Sequence, residues 1–136
     1  MDQVNELMEA AFNGNVKFMQ EMFESGVSPD SAHPISGHTL LQLACETDNI
    51  SSIKCLLVNG ANPNKRFTKT SRVDNRTLCK NGIALMYARS IAAIDLLIDF
   101  GADLSVKDDD NNSVQDWFVR SKAQELANYV DKIAKP

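Results

Sequence analysis

The sequence predicts an all-α repeat solenoid of about four stacked helix pairs with one long hairpin finger, and three observations carry that prediction. A phrase ending in glycine occurs three times, as Met22-Phe23-Glu24-Ser25-Gly26, Leu56-Leu57-Val58-Asn59-Gly60 and Leu97-Ile98-Asp99-Phe100-Gly101. A second phrase, Leu7-Met8-Glu9-Ala10, Leu41-Gln42-Leu43-Ala44 and Leu85-Met86-Tyr87-Ala88, ends 16, 16 and 13 residues before those glycines. A weaker fourth copy, Ser113-Val114-Gln115-Asp116-Trp117-Phe118, follows. Self-similarity with a period of tens of residues marks helical units that stack because none buries its apolar face alone.

Each element has its own local reason. Ala10, Ala44 and Ala88 are small where stacked helices must approach closely. Gly26, Gly60 and Gly101 end second helices, where a left-handed residue satisfies the last carbonyls. Thr39 and Ser113 are suited to cap the inner helices that they precede. Ile50, Ile53, Leu56 and Leu57 fall at helical spacing and predict one apolar stripe on an outer helix. Ile91, Ile94, Leu97 and Ile98 repeat that stripe. Leu126, Tyr129, Val130 and Ile133 supply it in a capping helix over 123–134, whose Gln124, Glu125, Asn128, Asp131 and Lys132 give a polar outer face.

Thr39-Leu40-Leu41-Gln42-Leu43-Ala44 resembles the ankyrin signature T-P-L-H-x-A, with Leu in place of Pro and Gln in place of His. Gly60-Ala61-Asn62-Pro63-Asn64 and Gly101-Ala102-Asp103-Leu104-Ser105 are similar to the turn that follows the second helix in that family. The resemblance covers nearly the whole chain as one domain, 1–136, with repeats at about 4–34, 35–68, 79–108 and a degenerate 109–136. It implies partner binding without a cofactor, through fingertips, inner-helix surfaces and the residue before each helix-ending glycine. Those positions are Phe12, Asn13, His38, Glu46, Thr47, Asn59, Ser90, Phe100, Asp109, Asp110 and Asn112. Trp117 replaces an ordinary inner-helix residue and is either packed or part of the concave floor.

Two departures from the period stand out. Ala44 and Ala88 are 44 residues apart, about 11 more than one period. The addition falls between the second and third pairs and predicts an irregular finger over 64–81. Residues 65–80 hold six basic residues and one Asp, a local charge of +5 in a chain of −4, which leaves −9 elsewhere. Long surface loops are uncommon unless functional or disordered, so Lys65, Arg66, Phe67, Lys69 and Arg72 join the candidate contacts, with Phe67 as an apolar anchor. A positive finger suits an acidic protein groove or a phosphate backbone. The acidic remainder repels nucleic acid and favours a protein partner. In the second departure, Ala88 to Gly101 is three residues short, about one helical turn. This predicts a shortened turn at 89–93 and a local tilt of the stack.

Other chemistry is sparse. Asp108-Asp109-Asp110 lacks the Gly and Glu of a calcium loop. The ankyrin resemblance aligns Asp108 with the acidic residue that opens a turn in that family, which implies that it accepts backbone hydrogen bonds there. Cys45, Cys55 and Cys79 are odd in number, show no CxxC pair and have no His at ligand spacing, which predicts reduced, packed thiols and no metal, with Cys79 in a loop. His33 and His38 have no partner in sequence. No phosphate loop, nucleophile elbow or zinc-protease helix appears, so an enzyme is not expected. No apolar run approaches about 20 residues. The acidic N-terminus lacks the pattern of a signal peptide. The expectation is a cytoplasmic binding protein, monomeric when free, that acts by occupying another protein. A chain barely longer than its repeats would suit a stand-alone inhibitor. Some bacterial immunity proteins are ankyrin-like, which admits neutralisation of a basic toxin domain. The alternative is a scaffold or adaptor whose basic finger contacts nucleic acid or an acidic membrane surface.

Overall fold

Polar caps start helices, at Thr39 and Ser113 as the sequence predicts and at other positions besides. Asn15, Thr39, Asn49 and Ser113 each accept a backbone N–H of the following first turn. The computed structural model describes residues 3–34, 36–70 and 77–134. Its helix pairs are α1 (Gln3–Asn13) with α2 (Val16–Glu24), α3 (Leu40–Glu46) with α4 (Ile50–Val58), a 3-10 helix (Ala84–Tyr87) with α5 (Ile91–Asp99), and α6 (Val114–Arg120) with α7 (Gln124–Ala134). The inner layer runs α1, α3, the 3-10 helix, α6, and the outer layer runs α2, α4, α5. Helix α7 packs on α6, and its Tyr129 hydroxyl donates to Asp95 of α5.

The core lies between the layers. Ala10, Ala44 and Ala88 are buried where inner helices touch, and Ile53, Leu56, Ile94 and Leu97 fill the outer side. The stripes are narrower than their spacing predicts. Ile50 opens α4 at the surface, and Ile133 is 37% exposed at the end of α7, where no further helix lies against it among the described residues. Gly26, Gly60 and Gly101 take φ of 106°, 97° and 99°. A side chain there would meet nothing within 4 Å, so backbone conformation alone requires glycine.

Polar bonds tie each repeat to the next. The Gln20 and Asn59 amides pair between α2 and α4, at 2.7 and 3.2 Å. The Ser52 hydroxyl donates to the Ala11 carbonyl at 2.8 Å inside the core. Asp30 accepts the Asn62 N–H, while Asn64 accepts the Asp103 N–H and donates to the Gly101 carbonyl.

Both departures from the period fold differently from the expectation. Over its described residues the finger is a short β-hairpin with shifts of register on both sides of Lys69: Phe67–Thr70 (β1) pairs antiparallel with Thr77–Gly82 (β2), Phe67 opposite Gly82 and Thr70 opposite Thr77. Cys79 therefore lies on a strand rather than in a loop. Nor is the three-residue loss absorbed by the turn at 89–93. Ile91–Ala93 form the first turn of α5, which keeps the nine residues of α4, with Ser90 as its cap. The loss falls on the inner helix, reduced to four residues of 3-10 geometry where α3 and α6 have seven. Burial explains the choice. The outer helix carries Ile94 and Leu97, both fully buried, so shortening it would remove core contacts.

One core residue is out of keeping with its surroundings. Gln42, where the ankyrin signature has His, is fully buried, and neither side-chain polar atom has a hydrogen-bond partner among the described residues. An unmet buried amide costs about 1–3 kcal/mol. Gln42→Met, similar in length, is therefore expected to raise stability by about 1 kcal/mol in denaturant melts. A loss of that size would show that the amide is bonded in solution.

Candidate functional site

Stacking brings equivalent positions of successive repeats side by side. Glu9, Leu43, Tyr87 and Trp117 occupy the same place in their respective copies of the inner-helix phrase. The Tyr87 and Trp117 rings consequently touch, with centroids 5.4 Å apart and planes tilted by 40°. Phe67 of the finger continues the row, 5.7 Å from Tyr87. The row crosses from the finger to the fourth repeat along the inner layer.

Trp117 is fixed on several sides. Its indole Nε1–H donates to Asp108 Oδ2 at 2.9 Å, and the Arg120 guanidinium lies 5.4 Å from its ring centre. Asp108 is buried and also accepts the N–H groups of Asp110 and Asn112 and the Asn112 side-chain amide. Burial pushes its carboxyl pKa up, but the bonds from Asn112, Trp117 and Asp110 outweigh that and hold it below the usual carboxylate range. The acidic turn thus has the backbone-binding role that its position predicts, and in addition anchors the tryptophan.

Beside this row the shortened inner helix leaves room. Helices α3 and α6 run on past the level where the 3-10 helix stops, and a cleft of about 350 Å³ opens between them. Tyr87 and Trp117 line it with Met86, Ala88, Ala123 and Leu126, and Glu46, Arg89 and Ser121 are its polar members. This is the concave, largely apolar type of site with a few polar groups at which binding concentrates.

The predicted contact residues divide between this region and other roles. Glu46 and Trp117 belong to the cleft. Phe12 is 55% exposed on α1 of the same layer, and Asn13 lines a shallow hollow on the first repeat with Glu6, Glu9 and Phe18. His38 lines another hollow with His33 and Met8, its Nδ1 2.7 Å from the Ser36 hydroxyl. Phe100 is 41% exposed but caps α5 in the outer layer, apart from the inner-helix face. Thr47, Asn59 and Ser90 are engaged in the stack. The Thr47 hydroxyl donates to the Leu43 carbonyl, Asn59 pairs with Gln20, and the Ser90 hydroxyl donates to Asp48 at 2.8 Å. Asn112 serves Asp108. Asp110 is exposed at the tip of its turn.

The finger is pinned at its base. Arg66 donates from Nη1 to the carbonyls of Asn81 and Lys107 at 2.6 and 2.8 Å, so it is a clamp rather than a free cation. Asp109 donates its N–H to the Lys80 carbonyl and accepts the Asn81 side-chain amide, which joins the acidic turn to the finger. Phe67 is only 5% exposed; its ring packs inward against Tyr87, so it is no surface anchor. Lys65 is exposed, Lys69 lies on β1 opposite Cys79, and Arg72 lies outside the described residues.

Met86, Tyr87, Ala88, Arg89, Ser121, Ala123 and Leu126 were not among the sequence candidates. Aligning Tyr87 with Trp117 in the repeated phrase, next to the three-residue deficit, would have pointed to them. Cys45 is buried at the end of α3, and burial first, then the charges of Asp48 and Glu46, push its thiol pKa well up, away from nucleophile or ligand chemistry. Among the described residues no three His, Cys, Asp or Glu side chains gather as a metal site, and no helix is long and apolar enough to cross a membrane.

The Asp108–Trp117 bond makes a pH prediction. A carboxyl held low in the fold stabilises it above the unfolded value of about 3.9 and loses that contribution as pH falls through the folded value. Thermal melts between neutral pH and pH about 3, followed by Trp117 emission, should show Asp108→Asn less stable at neutral pH and less sensitive to acid than the native chain. Equal acid sensitivity in the two proteins would contradict the role assigned to Asp108.

Comparison with known proteins agrees with the architecture. The sequence model of the family described as ankyrin repeats (3 copies) matches residues 7–108. The helix pair α6–α7 lies beyond that match and extends the stack by one pair. Ankyrin repeat domain-containing protein 40 of Homo sapiens is 34% identical over 68 residues, covering 50% of this chain and 18% of that protein. Its Mus musculus counterpart is likewise 34% identical over 68 residues and covered to 19%. The aligned segment spans less than a fifth of the length of these relatives. With three repeats matched in order and four helix pairs stacked in two layers, the chain belongs to the ankyrin-repeat family.

Proposed function

We propose that this chain is a non-catalytic protein-binding module that takes its partner on the inner-helix face, at the cleft beside Tyr87 and Trp117, with the basic finger guiding approach. The observation that carries the reading is the cleft itself: an aromatic-floored opening on the layer through which ankyrin repeats generally contact other proteins. Aromatic residues held rigidly at such a site supply binding energy with little ordering cost. The bonds from Arg66, Asp109 and Asn81 keep the base of the finger in place before a partner arrives, which lowers that cost further. In its sharper form the reading makes the chain an inhibitor that acts by occupying its partner, as an immunity-type protein does with a toxin.

The finger separates this reading from a nucleic-acid or membrane scaffold. Lys65→Ser with Lys69→Ser leaves the Arg66 clamp intact. Against a protein partner captured from the native source, this pair should slow association and flatten its salt dependence while dissociation changes little. Binding that falls steeply with salt in the native chain and transfers to polyanions would favour the scaffold instead. Unchanged kinetics would remove the finger from the interface.

A further inference from the structure

The cleft has a polarity that narrows the partner's chemistry. Glu46 stands at its second-repeat end on α3, Arg89 follows the 3-10 helix in the middle, and Arg120 covers Trp117 at the fourth-repeat end. Beyond Glu46 the field stays negative, because residues 3–62 carry seven acidic side chains against two basic ones. Between these charges Met86, Ala88, Ala123 and Leu126 surround the two rings, with Ser121 as a neutral polar member. About 350 Å³ lies at the small end of ligand pockets and suits one large side chain rather than a whole helix face.

We infer that the cleft seats one large apolar side chain of an extended partner segment, with the basic residues of that segment lying toward Glu46 and the first two repeats. The inference rests on the protein-binding reading above and deepens it. The reverse orientation would set the segment's cations against Arg89 and Arg120, and like charges facing each other across an interface are strongly disfavoured. The same cations laid over repeats one and two meet Glu46 and the negative field behind it. Orientation is therefore set by charge, and register by the apolar anchor.

The test uses a displayed library of random linear segments selected on the whole chain, then a synthetic copy of a recovered segment made without tryptophan. Trp117 is the chain's one tryptophan, so its emission reports on the cleft directly. Recovered segments should share one large apolar residue with Lys or Arg clustered to one side of it, and the synthetic copy should shift Trp117 emission saturably. Glu46→Lys should weaken that binding by about tenfold or more. Ser121→Tyr, which fills the cleft from α6, should abolish it in a chain that still folds. Segments without that pattern, a failure to recover any, or binding indifferent to Glu46→Lys would overturn the inference. Saturable binding that leaves Trp117 emission unchanged and survives Ser121→Tyr would overturn it too, while leaving protein binding by this chain intact.

Discussion

No helix pair of this chain buries its apolar residues alone, and every other feature follows from that constraint. Leu56 and Leu97 of the outer layer and Ala44 and Ala88 of the inner one are buried, and elements of neighbouring repeats lie against those that carry them. Full burial of a leucine side chain is worth about 1.5–3 kcal/mol, so an outer-helix turn that carries such residues is expensive to lose. The inner helix of the third repeat is the cheaper place to lose a turn. The chain has lost it there, and the cleft is the space that remains.

The finger and the acidic turn, separate in sequence, act as one unit in the fold. Arg66, Asn81 and Asp109 bond the base of the finger to the turn at 107–110, and Asp108 in that turn holds the indole of Trp117. Phe67 connects the finger to the same aromatic row from the other side. A partner that touches the base of the finger and a partner that enters the cleft therefore meet parts of one hydrogen-bonded assembly. The charge asymmetry has a structural consequence as well: a positive finger stands beside a turn rich in aspartate, while the first two repeats carry much of the negative charge.

Much of the architecture was legible in the sequence because repetition restates each signal several times. Ala10, Ala44 and Ala88 mark one register, and Thr39 and Ser113 cap where their positions require. The departures were legible as arithmetic but not as geometry. A count of residues shows that three are missing after Ala88, but whether they leave the turn or the helix depends on which residues would be uncovered, and that is a tertiary matter. Strands in the finger were hidden for a related reason. Phe67–Thr70 and Thr77–Gly82 lack the clean alternation of a half-buried strand, and their pairing is fixed at the base by bonds from residues 66 and 109. Of the candidate contacts, Glu46 and Trp117 line the cleft from positions legible in the repeated phrase, whereas the hydrogen bonds of Thr47, Asn59 and Ser90 arise only in the folded stack and were not legible in the sequence.

If the missing helical turn opens the cleft proposed to bind a partner, restoring that turn should close it. Inserting Cys-Glu-Thr after Ala88, the residues that follow Ala44 in the second repeat, should lengthen the third inner helix and fill the space between α3 and α6. The inserted chain should keep its helical content and cooperative melting, yet lose affinity for the partner captured from the native source by about tenfold or more. Undiminished binding by an inserted chain shown to have gained that turn would mean that the partner does not use the cleft.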